Sequence, residues 1–236
     1  MKKILTAFAA MLVLMSAGAQ RYYYNTAPWD GNKSYMLNVG ANFSLVQPTF
    51  TNADATSLDP GLAVTFRYEG DKNINEYLSL GYQFETGYLA QGAHFDHTGY
   101  LNEHYDVNWW VAPVEVRFSF SYWPMENLEL QLAAGVGYTL FYGTHGEKYA
   151  IYAGGLEVPG TREETGKAVD FFSSDMWVST MLQAKYFFSE TFFVSLSVHD
   201  NIGIGAFGGG SYDLDYTYQG GQRGMVMAGV GFKVLQ

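Results

Sequence analysis

Along Val107 to Trp123 the chain reads VNWWVAPVEVRFSFSYW, and its residues separate cleanly by parity. Trp110, Ala112, Val114, Val116, Phe118, Phe120 and Tyr122 are all apolar, whereas Glu115, Arg117, Ser119 and Ser121 stand between them. Successive side chains of a β-strand point to opposite faces, so the stretch predicts a strand with one hydrocarbon face and one polar face. It is longer than the five or six residues usual in a soluble sheet. The same alternation recurs over residues 34–45, 62–69, 78–88, 128–142, 176–188, 192–199 and 225–234. Eight strands are therefore predicted.

Their connections alternate in length. EGDKNINE, WPMEN and SET are short and turn-like, whereas residues 47–59, 91–106, 143–175 and 200–223 form longer links. Short turns at one end and long loops at the other are the pattern of an up-and-down outer-membrane barrel. A soluble eight-stranded barrel also alternates, but it puts the apolar side chains inside. Here the apolar set is bulky and the polar set is rich in Gly, Ala and Ser, which suits a narrow interior. Tyr35, Tyr68, Tyr88, Trp110, Tyr122, Phe188 and Phe192 cluster near strand ends on the apolar face, as interfacial girdles do. The predicted fold class is all-β, an eight-stranded antiparallel up-and-down transmembrane β-barrel over residues 34–236.

Register then has an energetic meaning. An Arg or Lys facing lipid near the midplane costs ~2–4 kcal/mol, so flipping Arg117 and Lys185 outward would cost roughly 4–8 kcal/mol. Arg67, Glu85, Glu115, Arg117, Glu129 and Lys185 are expected in the lumen, paired because buried charges must be paired to be tolerated. With Tyr122 opposite Leu128 across WPMEN, Arg117 falls beside Ala133 and Glu115 beside Gly135. A lumen plugged by polar side chains follows, not an open pore.

Composition changes the picture in three ways. Lys2 and Lys3, the apolar run to Met15 and Ala17-Gly18-Ala19 read as a signal peptide over residues 1–19, followed by a periplasmic lead-in over 20–33. The formal net charge is −10, and −12 without Lys2 and Lys3, which argues against nucleic-acid binding. The chain has no cysteine, so no disulfide framework holds it.

With its eight alternating segments and the C-terminal apolar positions Ala228, Val230, Phe232 and Val234, the chain resembles the small outer-membrane barrels of the OmpA transmembrane-domain and OmpX type. That family usually ends on an aromatic residue, whereas this chain ends on Gln236. The resemblance implies a passive barrel in a Gram-negative outer membrane, handled by the barrel-assembly machinery and surrounded by membrane lipids and lipopolysaccharide. It implies a structural role or presentation of loops to a surface partner, with 143–175 and 200–223 the candidate contact segments. A narrow channel or small-hydrophobe transporter is one alternative, and a lipid A-modifying enzyme another.

Specific chemistry is sparse, and no catalytic residue or cofactor is expected. His94, His97 and His104, with Asp96, Glu103 and Asp106, are weak candidates for a metal, because their spacing matches no established site. Gly203 to Gly208 spells the dinucleotide fingerprint, but that motif needs a following helix and the next residues alternate like a strand. His199 has Asn201 two residues on, where the deacylase type of small barrel carries Ser, so a lumen-rim role is expected for it.

Overall fold

The computed structural model describes residues 32–46, 53–75, 77–98, 102–152, 156–164, 176–204, 206–211, 214–219 and 222–234. The segments expected to be a signal peptide (1–19) and, all but residues 32 and 33, a lead-in (20–33) lie outside them. Eight long strands form the wall: β1 (Asn32–Val46), β2 (Gly61–Asn73), β3 (Leu78–Thr98), β4 (Asn102–Met125), β5 (Leu128–Ala150), β6 (Met176–Phe187), β7 (Phe192–Gly203) and β8 (Gln222–Val234). Each pairs antiparallel with its neighbours in sequence. β1 and β8 close the circle through a ladder that begins at Lys33 opposite Val234. Within the closed ring no sheet edge is free, which is what permits strands to cross hydrocarbon.

Side-chain burial follows the predicted parity. Val116, Phe118, Phe120, Leu132, Leu182 and Val230 are exposed on the convex wall, whereas Arg117, Gln131, Gln183 and Ser195 are buried inside. A wall this apolar is unfavourable in water and favourable in a bilayer. The described residues contain no helix long and apolar enough to cross a membrane; the crossing is made by strands.

Buried polar and charged residues outnumber buried apolar ones, but Leu89, Val111, Trp177, Met181, Met225 and Met227 are also inside. Met36, Phe187 and Phe193 form a small cluster with Trp123 against it, near the end that carries the short turns. Phe187 lies 5.0 Å from Phe193 and 5.2 Å from Trp123, ring centre to ring centre. A Cβ on Gly231 would collide with the Phe193 ring, so this floor depends on glycine in the adjoining strand.

Two expectations are corrected. Across the β4–β5 turn Tyr122 pairs with Leu130, not Leu128, which sets Arg117 opposite Gly135 and Glu115 opposite Gly137. Pro124 interrupts the ladder there because it has no N–H to donate, and the register shifts between Tyr122 and Met125. A slip of two residues keeps every side chain on its face, so the lumen set is unaffected. The second correction concerns residues 91–106, read above as a loop. Residues 91–98 and 102–106 instead continue β3 and β4, with Thr98 paired with Asn102.

At the same loop end, Ala53–Asp59 adds a strand to the free side of β3, and Glu163–Glu164 pairs with β5. Ala206–Ser211 and Leu214–Gln219 form a separate hairpin. A strand occupies the place where the dinucleotide reading would need a helix.

Candidate functional site

The barrel's middle is filled by one ionic network. Glu85 receives Arg67 Nε at 2.9 Å and Arg117 Nη1 at 2.5 Å, so one carboxylate joins two guanidinium groups. Arg117 also pairs with Glu115 through Nη2 and donates from Nε to Ser179 Oγ at 2.8 Å. Glu115 accepts further bonds from Ser179 Oγ at 2.9 Å, Trp177 Nε1 at 3.2 Å and Asn201 Nδ2 at 3.3 Å. Thr65 donates to Glu85, and Arg67 Nη1 donates to Gln183 Oε1 at 3.0 Å.

A second group lies toward the turn end. Lys185 Nζ is 2.5 Å from Glu69 and 3.2 Å from Glu129. Ser34 and Gln83 donate to Glu69, and Ser121 donates to Glu129. Arg67 Nη1, 3.6 Å from Glu69, connects the two groups. Every charged side chain here is at most 6% exposed, so water does little of the solvation. The protein's own hydrogen bonds replace it.

All six residues expected in the lumen are buried in this network, and sequence reasoning missed Glu69. It has the parity of Arg67 on the polar face of the same predicted strand, at the edge of the turn EGDKNINE, and is not among the six. His199 is also corrected from a rim position: it is 1% exposed, between Arg67 Nη2 at 3.3 Å and Arg117 Nη2 at 3.2 Å. A guanidinium only donates, so at least one ring nitrogen of His199 accepts. Parity with Ser195 and Ser197 carried the signal for its inward aim. Trp177 and Phe193, both inward and buried, share that parity with Ser179 and Ser195, but their bulk points the other way, to lipid.

The predicted girdle residues lie on the outside. Tyr35, Tyr68 and Phe232 pack together near the turn end, with Tyr35 5.3 Å from each of the other two. Tyr122, Phe188 and Phe192 are exposed at that end, and Tyr88 stacks on Trp110 at 5.9 Å toward the loop end.

Beyond Tyr88 and Trp110 the extended hairpin carries a second polar cluster, on its outward face. His94 pairs across the ladder with Asp106, which shares the same face as His104 two residues before it. His94 Nδ1 lies 2.5 Å from Asp106 Oδ1, and His104 Nε2 lies 3.1 Å from that same oxygen. Asp59, from the added strand, reaches His94 Nε2 at 2.8 Å. The hydrogen bond that His94 donates to Asp106 raises the His94 pKa above its usual value; burial opposes it and Asp59 assists. Burial pushes the Asp106 carboxyl up, but His94, His104 and Tyr149 together hold it below the usual range. His97 stands opposite Glu103 in the ladder, and both side chains lie outside the described residues.

Comparison with known proteins gives only coarse likeness. The chain matches no family model and no curated protein. Among solved structures it is similar to the outer membrane protein OprG of Pseudomonas aeruginosa, at 10% identity and a TM-score of 0.47, covering 89% of this chain and 100% of that one. It is similar to Ail, the attachment invasion locus protein of Yersinia pestis, at 11% identity and 0.38, covering 85% and 98%. Neisserial surface protein A is aligned at 9% identity and 0.39, covering 85% and 97%. The barrel itself is established by the chain's own closed ladders.

Proposed function

We propose that the protein is an integral outer-membrane barrel that conducts no ions, gives the membrane a rigid wall and holds its loop-end sheet at the cell surface for contact with a partner. The observation that carries this reading is the lumen network. Arg67 and Arg117 are fully buried, each joined to a carboxylate, so a permeating ion would have to break several charge-assisted bonds at once. Non-enzymatic action fits the same geometry. His199 is enclosed by Arg67, Arg117 and Ser197, and Asn201 is engaged by Glu115.

Planar-bilayer recording with folded protein tests the reading. The expected record is a flat baseline, with no unitary steps. Stable, reproducible steps that persist at constant protein purity would overturn it and favour the channel alternative.

A further inference from the structure

We propose that His94, His104 and Asp106 form a binding site for a divalent cation of the zinc class on the outward face of the β3–β4 extension. The inference does not depend on the lumen being closed, because the site lies outside the wall and beyond the Tyr88–Trp110 pair.

The geometry is that of a three-donor site. One nitrogen from each histidine and one oxygen of Asp106 all lie within 4.8 Å of one another. A tetrahedral Zn²⁺ has bonds of ~2.0–2.1 Å, which places its donors roughly 3.3 Å apart. His104 Nε2 is already 3.1 Å from Asp106 Oδ1, and His94 Nδ1 at 2.5 Å has to move outward by less than about 1 Å to reach that spacing. The cation would replace the shared protons that now hold these atoms together.

Around the donors stand groups that orient them. Asp59 Oδ2 engages His94 Nε2, the nitrogen left over when Nδ1 is the ligand. A carboxylate on the far nitrogen of a ligating histidine fixes its tautomer and raises its basicity. Tyr149 is hydrogen-bonded to Asp106, and its ring packs 5.1 Å from that of His104. The two histidine rings stack at 5.9 Å. With neutral imidazoles, Asp59 and Asp106 give the cluster two negative charges, which a dication neutralises.

Two imidazoles with one carboxylate suit zinc, nickel or copper better than magnesium or calcium, which prefer all-oxygen sets. Three protein donors leave a fourth position for water or a donor from another molecule.

The test is calorimetric titration of folded, untagged full-length protein with Zn²⁺, paired with Co²⁺ absorption spectra. The expected result is saturable binding of one equivalent and the visible bands of tetrahedral Co²⁺, both lost in the H94Q/H104Q double variant. Asp59→Asn is expected to keep the stoichiometry and weaken affinity ~10–100-fold, as outer-sphere partners do. Folding of each variant is checked by the heat-dependent shift in gel migration of the intact barrel. One-equivalent binding retained by the folded double variant would overturn the assignment. So would the absence of saturable binding in the parent protein.

Discussion

Arg117 and Arg162 perform the same local act in opposite surroundings. Each guanidinium grips two carboxylates: Arg117 holds Glu85 and Glu115, and Arg162 holds Glu147 and Glu157. Arg117 is fully buried between strands, whereas Arg162 is 42% exposed above the wall, with its guanidinium carbon 4.3 Å from the Tyr149 ring centre. In the lumen Arg117 and Glu85 are out of reach of bulk solvent, which cannot take the place of a lost partner. At the loop end it can, and the pair competes with a solvent that solvates each charge nearly as well. Burial, not the number of contacts, sets what an ion pair contributes.

The largest expected effect comes from cutting the buried member. Arg117→Met leaves Glu115 and one side of Glu85 without a counter-charge in the interior. Breaking such a pair costs about 3–5 kcal/mol, a large share of the ~5–15 kcal/mol that holds a typical domain together. Urea unfolding in lipid vesicles, followed by tryptophan fluorescence, is expected to show a greatly lowered midpoint. A midpoint within error of the parent would mean that the lumen is hydrated and that the two arginines are equivalent after all.

A smaller effect sharpens the same contrast through packing alone. A Cβ on Gly137 would overlap the ring of Trp177, whose Nε1 donates to Glu115. Gly137→Val therefore has to displace the indole from the end of the network, at a cost of ~1–3 kcal/mol for overpacking. The check is the same unfolding curve together with the emission maximum of the folded protein, expected to shift as Trp177 changes surroundings. An unchanged emission and midpoint would show that the lumen has slack.

These two sites also mark how far the sequence could be read. Parity alone assigned Arg117, Glu115, Arg67, Glu85, Glu129 and Lys185 to the inside, because an ionised side chain against lipid is too costly to be an alternative. It was silent on which carboxylate meets which cation. Those partners depend on stagger between strands far apart in the chain, as with Lys185 and Glu69, 116 residues apart. The β4–β5 register was read two residues out because Pro124 extends the turn. Trp177 and Phe193 have inward parity but outward bulk, and the bulk is accommodated where Gly137 and Gly231 stand on neighbouring strands. At the loop end, clustered histidines were visible, but Asp59 was not, since nothing in residues 53–59 announces a strand that docks on β3.

The smallest expected effect falls on Arg162. Glu157 and Glu147 raise the Arg162 pKa by hydrogen bonding, and Arg162 lowers that of Glu157, but both groups lie in solvent, where screening removes most of the benefit. Arg162→Ala is therefore expected to leave the urea midpoint where it was. Its mark should be local. Arg162 ties the segment around Glu157 to β5, beside the short ladder of Glu147 with Glu164 and Lys148 with Glu163 and the backbone bond from Val158 N to Ala150 O. Amide exchange at Lys148 and Glu163 is expected to quicken, with β1, β6 and β8 unchanged. A global loss of stability instead would mean that this exposed bridge supports the wall, and would erase the distinction between the two arginines from the opposite side.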